Sequence, residues 1–305
     1  MRIALTGVSG FIGSAIARRA RAQGHEVTGL VRETSRRDHI EGVVDRFVVG
    51  DQSDRDAWDR LLDGADAVIH NSVDWAPIRA GDFAAHLQSN LVSSLELLRA
   101  SSPRPFVFIS TIAVHHDMRP RWHGEIDEDH PLRPNMDYGA YKAAVESHLW
   151  VDHFRDGRHT CAIRPCGVYG VDPDLERSHG YTLVEKLRRG EPITKAGGGK
   201  FVHVDDVAWA AVAALSAPSA SGRAINLVDC YAKWSDWAHL AQELMGTSCA
   251  IDDSSPASPA NRFLKDAAMG LFGGSPPAGF LSRGTAGVRA HLESLVHAMA
   301  EGAGR

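Results

Sequence analysis

Short apolar runs alternate with amphipathic stretches along the first two-thirds of the chain, the signature of βαβ units in a parallel sheet. The apolar runs predict strands over residues 2–5, 25–31, 47–49, 67–70, 106–110 and 160–163. Between them, apolar positions at helical spacing predict helices. One spans 11–23, with Ile12, Ala15, Ile16 and Ala20 on one face and Gly24 as its stop. A long one spans 83–100, with Leu87, Leu91, Leu95 and Leu98 in register, and a third spans 137–154. The stretch 118–135 is polar and carries Pro120, Pro131 and Pro134, so it reads as a long loop. The expected fold is α/β, a doubly wound parallel sheet.

Beyond Pro165 the pattern changes. Helices are expected near 181–189, 205–215 and 234–245, a strand at 224–227, and a final helix over about 288–300. Gly197-Gly198-Gly199 reads as a flexible hinge. Residues 252–287 are rich in Ser, Pro, Gly and Ala, and the tract from Leu271 to Pro277 reads either as a lid or as a connector.

Composition narrows the class. With 305 residues, 44% of them hydrophobic, the chain is long enough for a large core plus a smaller lobe, and wholesale disorder is excluded. A formal charge of -5 argues against a nucleic-acid surface, because phosphate binding needs clustered Lys and Arg. The basic pairs Arg18-Arg19, Arg36-Arg37 and Arg188-Arg189 stand among acidic neighbours. No apolar run is long enough to span a bilayer, and four cysteines make no disulfide framework. The chain opens directly on a strand pattern, so no signal peptide is expected and a cytoplasmic location is.

Candidate chemistry begins at Thr6-Gly7-Val8-Ser9-Gly10-Phe11-Ile12-Gly13, between the first strand and the first helix. Gly7 permits a tight turn, Gly10 lets the backbone approach a pyrophosphate, and Gly13 allows close packing of helix on sheet. The helix start adds free N–H groups and a positive dipole end. Gly7, Gly10, Phe11, Ile12 and Gly13 are therefore expected to cradle a dinucleotide. The second strand ends in Leu30-Val31-Arg32, with no acid at Val31. An acid there would bind the ribose hydroxyl of NAD, whereas a guanidinium suits the extra phosphate of NADP. NADP(H) is the expected cofactor and NAD(H) the alternative. Arg32 has a second reading, stacking over adenine, and Arg36 and Arg37 are placed to assist it. Asp51, after the third strand, is placed to accept from the adenine amino group.

Tyr138 and Lys142 stand at i and i+4 near the start of a helix, so both lie on one face. A phenol titrates near pH 10, and a neighbouring ammonium favours its ionised form. Tyr138 is the expected proton donor or acceptor for a substrate oxygen, with Lys142 tuning it and holding the nicotinamide ribose. Thr111 ends the fifth strand, at the carboxyl edge where open α/β sheets bind ligands, and would orient a substrate carbonyl.

Taken together these stretches resemble the extended short-chain dehydrogenases/reductases of the NAD-dependent epimerase/dehydratase family. The matching segments also include Gly50-Asp51, Asn90, Ile163-Arg164-Pro165, Val168-Tyr169-Gly170 and Phe201-Val202-His203-Val204-Asp205-Asp206, and they cover roughly residues 1–230. The resemblance implies a seven-stranded Rossmann sheet over residues 1–170. It implies a smaller C-terminal substrate lobe over 171–305, with residues about 201–230 returning to the core. It implies Thr111, Tyr138 and Lys142 as catalytic residues, Pro165 to Val168 passing under the nicotinamide, Asn71 lining the cofactor, and Asn90 supporting the site. It also implies a homodimer through the helices 83–100 and 137–154. Their Leu stripe reads equally as packing on the sheet.

Some positions depart from the family pattern. Thr111 stands where Ser is usual, His115-His116 replaces Tyr-Gly, and His70-Asn71-Ser72 replaces His-Leu-Ala. Gly167 stands where nucleotide-sugar members carry Asn, which points to the reductase branch. The expected function is NADP-dependent hydride transfer on a small-molecule ketone or alcohol. The alternative is a nucleotide-sugar epimerase or dehydratase with tightly bound NAD. A redox-sensing binding protein is disfavoured by the Tyr138–Lys142 pair.

The loop histidines His115, His116, His123 and His130, with Asp117, Asp127, Glu128 and Asp129, lack metal-ligand spacing, so no metal is expected there. His115 is a candidate substrate-facing donor or a structural histidine. Cys161 reads as a buried hydrophobe and Cys166 as a candidate neighbour of the substrate. Trp234 and Trp237 read as packing, and His203 as shaping the lobe.

Overall fold

The computed structural model describes residues 1–115, 124–256 and 262–302. His116, Asp117, Pro120 and His123, singled out above, lie outside them.

The chain opens with β1 (Arg2–Thr6), α1 (Phe11–Ala22), β2 (Glu26–Val31), β3 (Arg46–Val49), α2 (Arg55–Leu62), β4 (Ala67–His70) and α3 (Trp75–Ala80). The long helix follows as α4 (Phe83–His86), a π-helical turn over Leu87–Val92, and α5 (Ser93–Ala100). Then come β5 (Phe106–Ile109), β6 (Glu125–Ile126), α6 (Asp137–Asp156), β7 (Thr160–Pro165) and β8 (Gly167–Tyr169). The last third holds α7 (Tyr181–Arg188), β9 (Gly198–His203), α8 (Val204–Ala213), β10 (Arg223–Leu227), β11 (Cys230–Lys233) and α9 (Trp234–Met245). It ends with β12 (Arg262–Phe263), α10 (Asp266–Gly270) and α11 (Gly284–Gly302).

Seven strands form one parallel sheet in the order β10-β7-β5-β4-β1-β2-β3. The chain winds outward from β1 to β3 on one side and from β4 to β10 on the other. The direction therefore switches between β1 and β4, and a ligand crevice is expected beyond their carboxyl ends. The strands are buried on both faces. One face packs Ile3, Leu5, Ile69 and Val107 against Ile16 of α1 and Val207 of α8. The other packs Ala4, Val68 and Phe106 against Leu61 of α2, Leu97 of α5 and Val145 of α6. This two-sided cover is why the strands read as apolar runs and not as alternating patterns. The Leu stripe packs on the sheet: Leu98 is buried and Leu91 and Leu95 lie against the second cluster.

Residues Tyr169, Leu183, Phe201, Trp237 and Leu292 form a separate core beneath a small sheet, β11-β9-β8. Trp237 is fully buried there and Trp234 packs beside it. His203 caps α8 by accepting from the Asp205 amide, 3.2 Å.

Three expectations from the pattern change. Gly198 and Gly199 are not a hinge but the first residues of β9; a Cβ on Gly198 would lie 2.3 Å from the Ala232 carbonyl, so glycine lets β11 approach. The loop 118–135 contains β6, which pairs with β12, and a two-residue strand is too short to leave a periodic signal. The tract 271–277 is anchored at its start, while Gly273, Gly274 and Ser275 are exposed. Leu271 is buried with Ala268, Phe280 and Leu281, and Phe272 meets Phe280 edge-on at 4.8 Å.

Candidate active site

A cleft of about 470 Å³ opens at the switch point. Gly7, Gly10, Phe11 and Ile12 line its floor. Gly7 holds φ +67°, and a Cβ on Gly13 would lie 2.0 Å from the Gly7 carbonyl oxygen. Gly13 thus closes the turn on its own backbone, which is why it lies under the cleft and not on its wall. No side chain caps α1, so the N–H groups of its first turn face the cleft.

Behind this turn a buried network fixes β1 against β4, and sequence reasoning missed it. The Thr6 hydroxyl accepts from the Asn71 and Ser72 amides, at 3.0 and 3.1 Å. Its own proton goes to His70 Nδ1, 2.7 Å away. His70 Nε2 then donates to the Ser94 hydroxyl, which in turn donates to the Asn90 carbonyl. Every partner is satisfied only by neutral His70, and burial pulls its pKa down to about 3.

Asn90 does not line the cleft. It sits in the π-helical turn, and its side chain clasps the backbone of Asp74: Oδ1 accepts from the amide at 2.7 Å and Nδ2 donates to the carbonyl at 2.9 Å. That clasp holds the segment from Ser72 to Trp75, all of which line the cleft. A π turn inside an α-helix commonly marks a site of this kind.

At one end Arg32, Ser35 and Asp51 line the cleft. Arg32 is exposed, its amide donating to Ser35 Oγ at 3.1 Å. Arg36 is instead paired with Asp38 at 3.1 Å, and Arg37 lies over the Phe47 ring at 5.8 Å. Neither of these two arginines lines the cleft.

At the other end stand Thr111, Tyr138 and Lys142, with Pro165, Cys166 and Val168 opposite. Burial pushes the Tyr138 phenol up to about 12, against a smaller downward pull from the neighbouring Thr111 side chain. This is opposite to the depression expected from the neighbouring ammonium, because desolvation is the larger influence on the partly buried phenol. Lys142 is 1% exposed, donates to the Ile109 carbonyl at 2.6 Å, and is pulled down to about 7 by burial. Its Nζ lies 5.8 Å from the Tyr138 ring centre. Trp75, absent from the sequence expectations, stacks on Tyr138 with ring centres 5.0 Å apart and planes 24° from parallel. Its signal was a bulky aromatic just past the β4 edge, after the helix-capping Asp74.

His115 stays out of the cleft. Its Nδ1 bonds the Pro131 carbonyl at 3.2 Å and its Nε2 meets Arg164 Nη1 at 3.0 Å. An Nε2 facing a guanidinium must accept, so the ring is neutral, and burial and Arg164 hold it at about 4. The expectation of a substrate-facing donor does not match this geometry; the structural alternative does. Burial also raises the Cys166 thiol far above its ordinary value, so its place on the wall is that of a small hydrophobe. Among the described residues no group of three or more His, Cys, Asp or Glu is gathered to hold a metal. No described helix is long and apolar enough to cross a membrane.

Comparison with known proteins follows the same outline. The chain is 28% identical over 227 residues to a 3-diazoavenalumate denitrifying reductase of a Streptomyces species, covering 70% of this chain and 72% of that relative. It is 32% identical over 186 residues to a dTDP-glucose 4,6-dehydratase of Streptomyces niveus, covering 56% of this chain and 54% of the relative. The match thus spans about half the length of the dehydratase. The solved UDP-glucose 4-epimerase of Thermotoga maritima superposes with a TM-score of 0.80 at 20% identity, over 98% of this chain and 100% of that one, a likeness of fold. Residues 3–227 match the model of the NAD dependent epimerase/dehydratase family. Because that stretch takes in most of the chain and all of the parallel sheet with its glycine turn, the chain belongs to the NAD dependent epimerase/dehydratase family.

Proposed function

We propose that this protein is an NADP(H)-dependent oxidoreductase acting on a small-molecule ketone or alcohol. The observation that carries the reading is that Thr111, Tyr138 and Lys142 line one cleft with Arg32 and the glycine turn. The polar groups along that cleft fit a dinucleotide: the donors of an uncapped helix start for phosphates, the Asp51 carboxylate to accept from an amino group, and Arg32 to donate to a second phosphate. The bound nicotinamide supplies or accepts the hydride. Thr111 and Tyr138 hold the substrate oxygen, and Tyr138 gives up its proton as that oxygen gains charge. A phenol held at about 12 is protonated at neutral pH, which suits donation in the direction of reduction. Lys142 offsets the charge left on Tyr138 and anchors the ribose. Residues 171–305 form the substrate lobe in this reading, with Asp172, Arg177 and His179 at the rim of the cleft.

The reading is tested by denaturing freshly purified protein and identifying any released nucleotide by mass spectrometry, alongside thermal-shift titrations with NADP(H) and NAD(H). An empty site stabilised selectively by NADP(H) is expected. Stoichiometric NAD would overturn it in favour of a self-recycling epimerase or dehydratase.

Replacing Val31 by Asp together with Arg32 by Asn is expected to invert the preference. Losing the charge-assisted bonds of one guanidinium, worth about 1.5–3 kcal/mol, weakens NADPH by roughly 10- to 150-fold. Calorimetric titration showing undiminished NADPH affinity would sink the role given to Arg32.

A homodimer is also proposed. Phe83 on α4 and Val151 and Phe154 on α6 are 57%, 45% and 79% exposed, an apolar set on neighbouring helices that a partner would cover. Light scattering at micromolar concentration is expected to give twice the mass of one chain, and Phe154→Glu to halve it.

A further inference from the structure

Three elements deliver side chains to the reacting end of the cleft, and one buried carboxylate touches all three. Glu146 lies one turn beyond Lys142 and two beyond Tyr138 on α6, and it is fully buried. Ser110, the neighbour of Thr111 at the end of β5, donates its hydroxyl to Glu146 Oε1. Arg164, the neighbour of Pro165 on β7, grips the same carboxylate: Nε reaches both oxygens at 3.1 Å and Nη2 reaches Oε2 at 2.6 Å. Both members of this pair have 0% of their side chains exposed. The remaining Arg164 nitrogen is taken by His115 Nε2 at 3.0 Å and the Glu128 carbonyl at 3.4 Å. Arg164 and Glu146 thus form a buried ion pair, with Lys142 one turn away from the carboxylate on α6.

We propose that Glu146 is a positioning residue for the Thr111, Tyr138 and Lys142 site, setting the spacing of β5, α6 and β7 and placing a buried carboxylate one helical turn from Lys142 as its counter-charge. The proposal rests on the proton-handling role assigned above to Tyr138 and Lys142. An ion pair this deep is a poor source of stability, since desolvating both charges offsets most of their attraction. Its value lies in geometry and field. Among the described residues, the other groups around Lys142 carry no negative charge. On its own helix Lys142 faces Tyr138 and Tyr141, both neutral phenols raised by burial. From β4 it faces His70, which is neutral, and from β5 the Phe108 ring at 4.3 Å and the Ile109 carbonyl. Among the described residues Glu146, one turn along α6, is the charge that favours the Lys142 ammonium.

The chain has six lysines, so ε-carbon-13 lysine labelling gives a spectrum in which Lys142 is assigned by its loss in Lys142→Met. Glu146→Gln keeps the shape and removes the charge. The titration of Lys142 is expected to move to lower pH by about 1 unit or more, the scale of a close opposite charge. NADPH-dependent turnover, once a ketone is found, is expected to lose its alkaline limb over the same interval. If the Lys142 midpoint in Glu146→Gln equals that of the parent, the proposal is overturned. Should the Gln variant fail to fold, Glu146→Gln with Arg164→Gln leaves no unpaired guanidinium, and the same downward shift is expected of it; an unmoved midpoint overturns the proposal there too. Thermal shift of the parent with NADPH separates the two readings. If no nicotinamide nucleotide stabilises the parent, the proposed function fails whatever Lys142 does. If NADPH binds and the midpoint stays, the role of Glu146 alone fails.

Discussion

Replacing Tyr138 by Phe is expected to lower kcat by about 10²- to 10⁴-fold, the usual worth of a positioned proton donor, while NADPH affinity stays within about twofold. The substitution is close to pure chemistry. Phe keeps the ring that stacks on Trp75 and meets Tyr141 edge-on, and removes only the hydroxyl shared with Thr111. The donor is protonated at neutral pH because burial outweighs the opposing pull of Thr111, so the loss should be nearly constant from pH 6 to 8. Turnover is read as NADPH consumption with whichever ketone the parent reduces, and affinity by calorimetry. A Phe variant with parental kcat would remove Tyr138 from the mechanism. Thr111→Val would then become the variant to test for the proton donor.

Much of this site was legible because its residues sit where the chain must change direction. The glycine turn, Arg32, Thr111 and the Tyr138–Lys142 pair each follow a strand or open a helix, and such positions leave short, readable signals. The parallel sheet was legible for a related reason: two-sided burial makes each strand an apolar run. What the chain did not disclose depends on contacts between distant segments. Nothing near Asn90 in sequence says that its amide clasps Asp74, sixteen residues earlier. Nothing near His115 says that both ring nitrogens are taken, one by Arg164, forty-nine residues away. The direction of the Tyr138 shift was misjudged for the same reason, since its burial depends on Trp75, on another element. Short strands such as β6 and β12 are set by each other and not by local pattern.

Arg164→Met is expected to cost about 3–5 kcal/mol in urea unfolding, because it strands the Glu146 carboxylate in a dry core. The instructive comparison is the double variant Glu146→Leu with Arg164→Met. Removing both charges relieves the stranded anion, so most of that cost should return. It should not return entirely. The Ser110 hydroxyl and His115 Nε2 each lose a buried partner, at about 1–3 kcal/mol apiece where nothing replaces it. A double variant as unstable as Arg164→Met would mean that the pair itself, and not the unpaired charge, supports the fold. If the double variant is instead well folded, it separates two roles that the single variant confounds. Its α6 still presents Tyr138 and Lys142 to the cleft, but the ammonium has lost the favourable charge of Glu146. A stable protein that binds NADPH and yet turns over slowly at neutral pH, recovering as pH is lowered, is the combination that assigns the buried pair to the site and not to the fold.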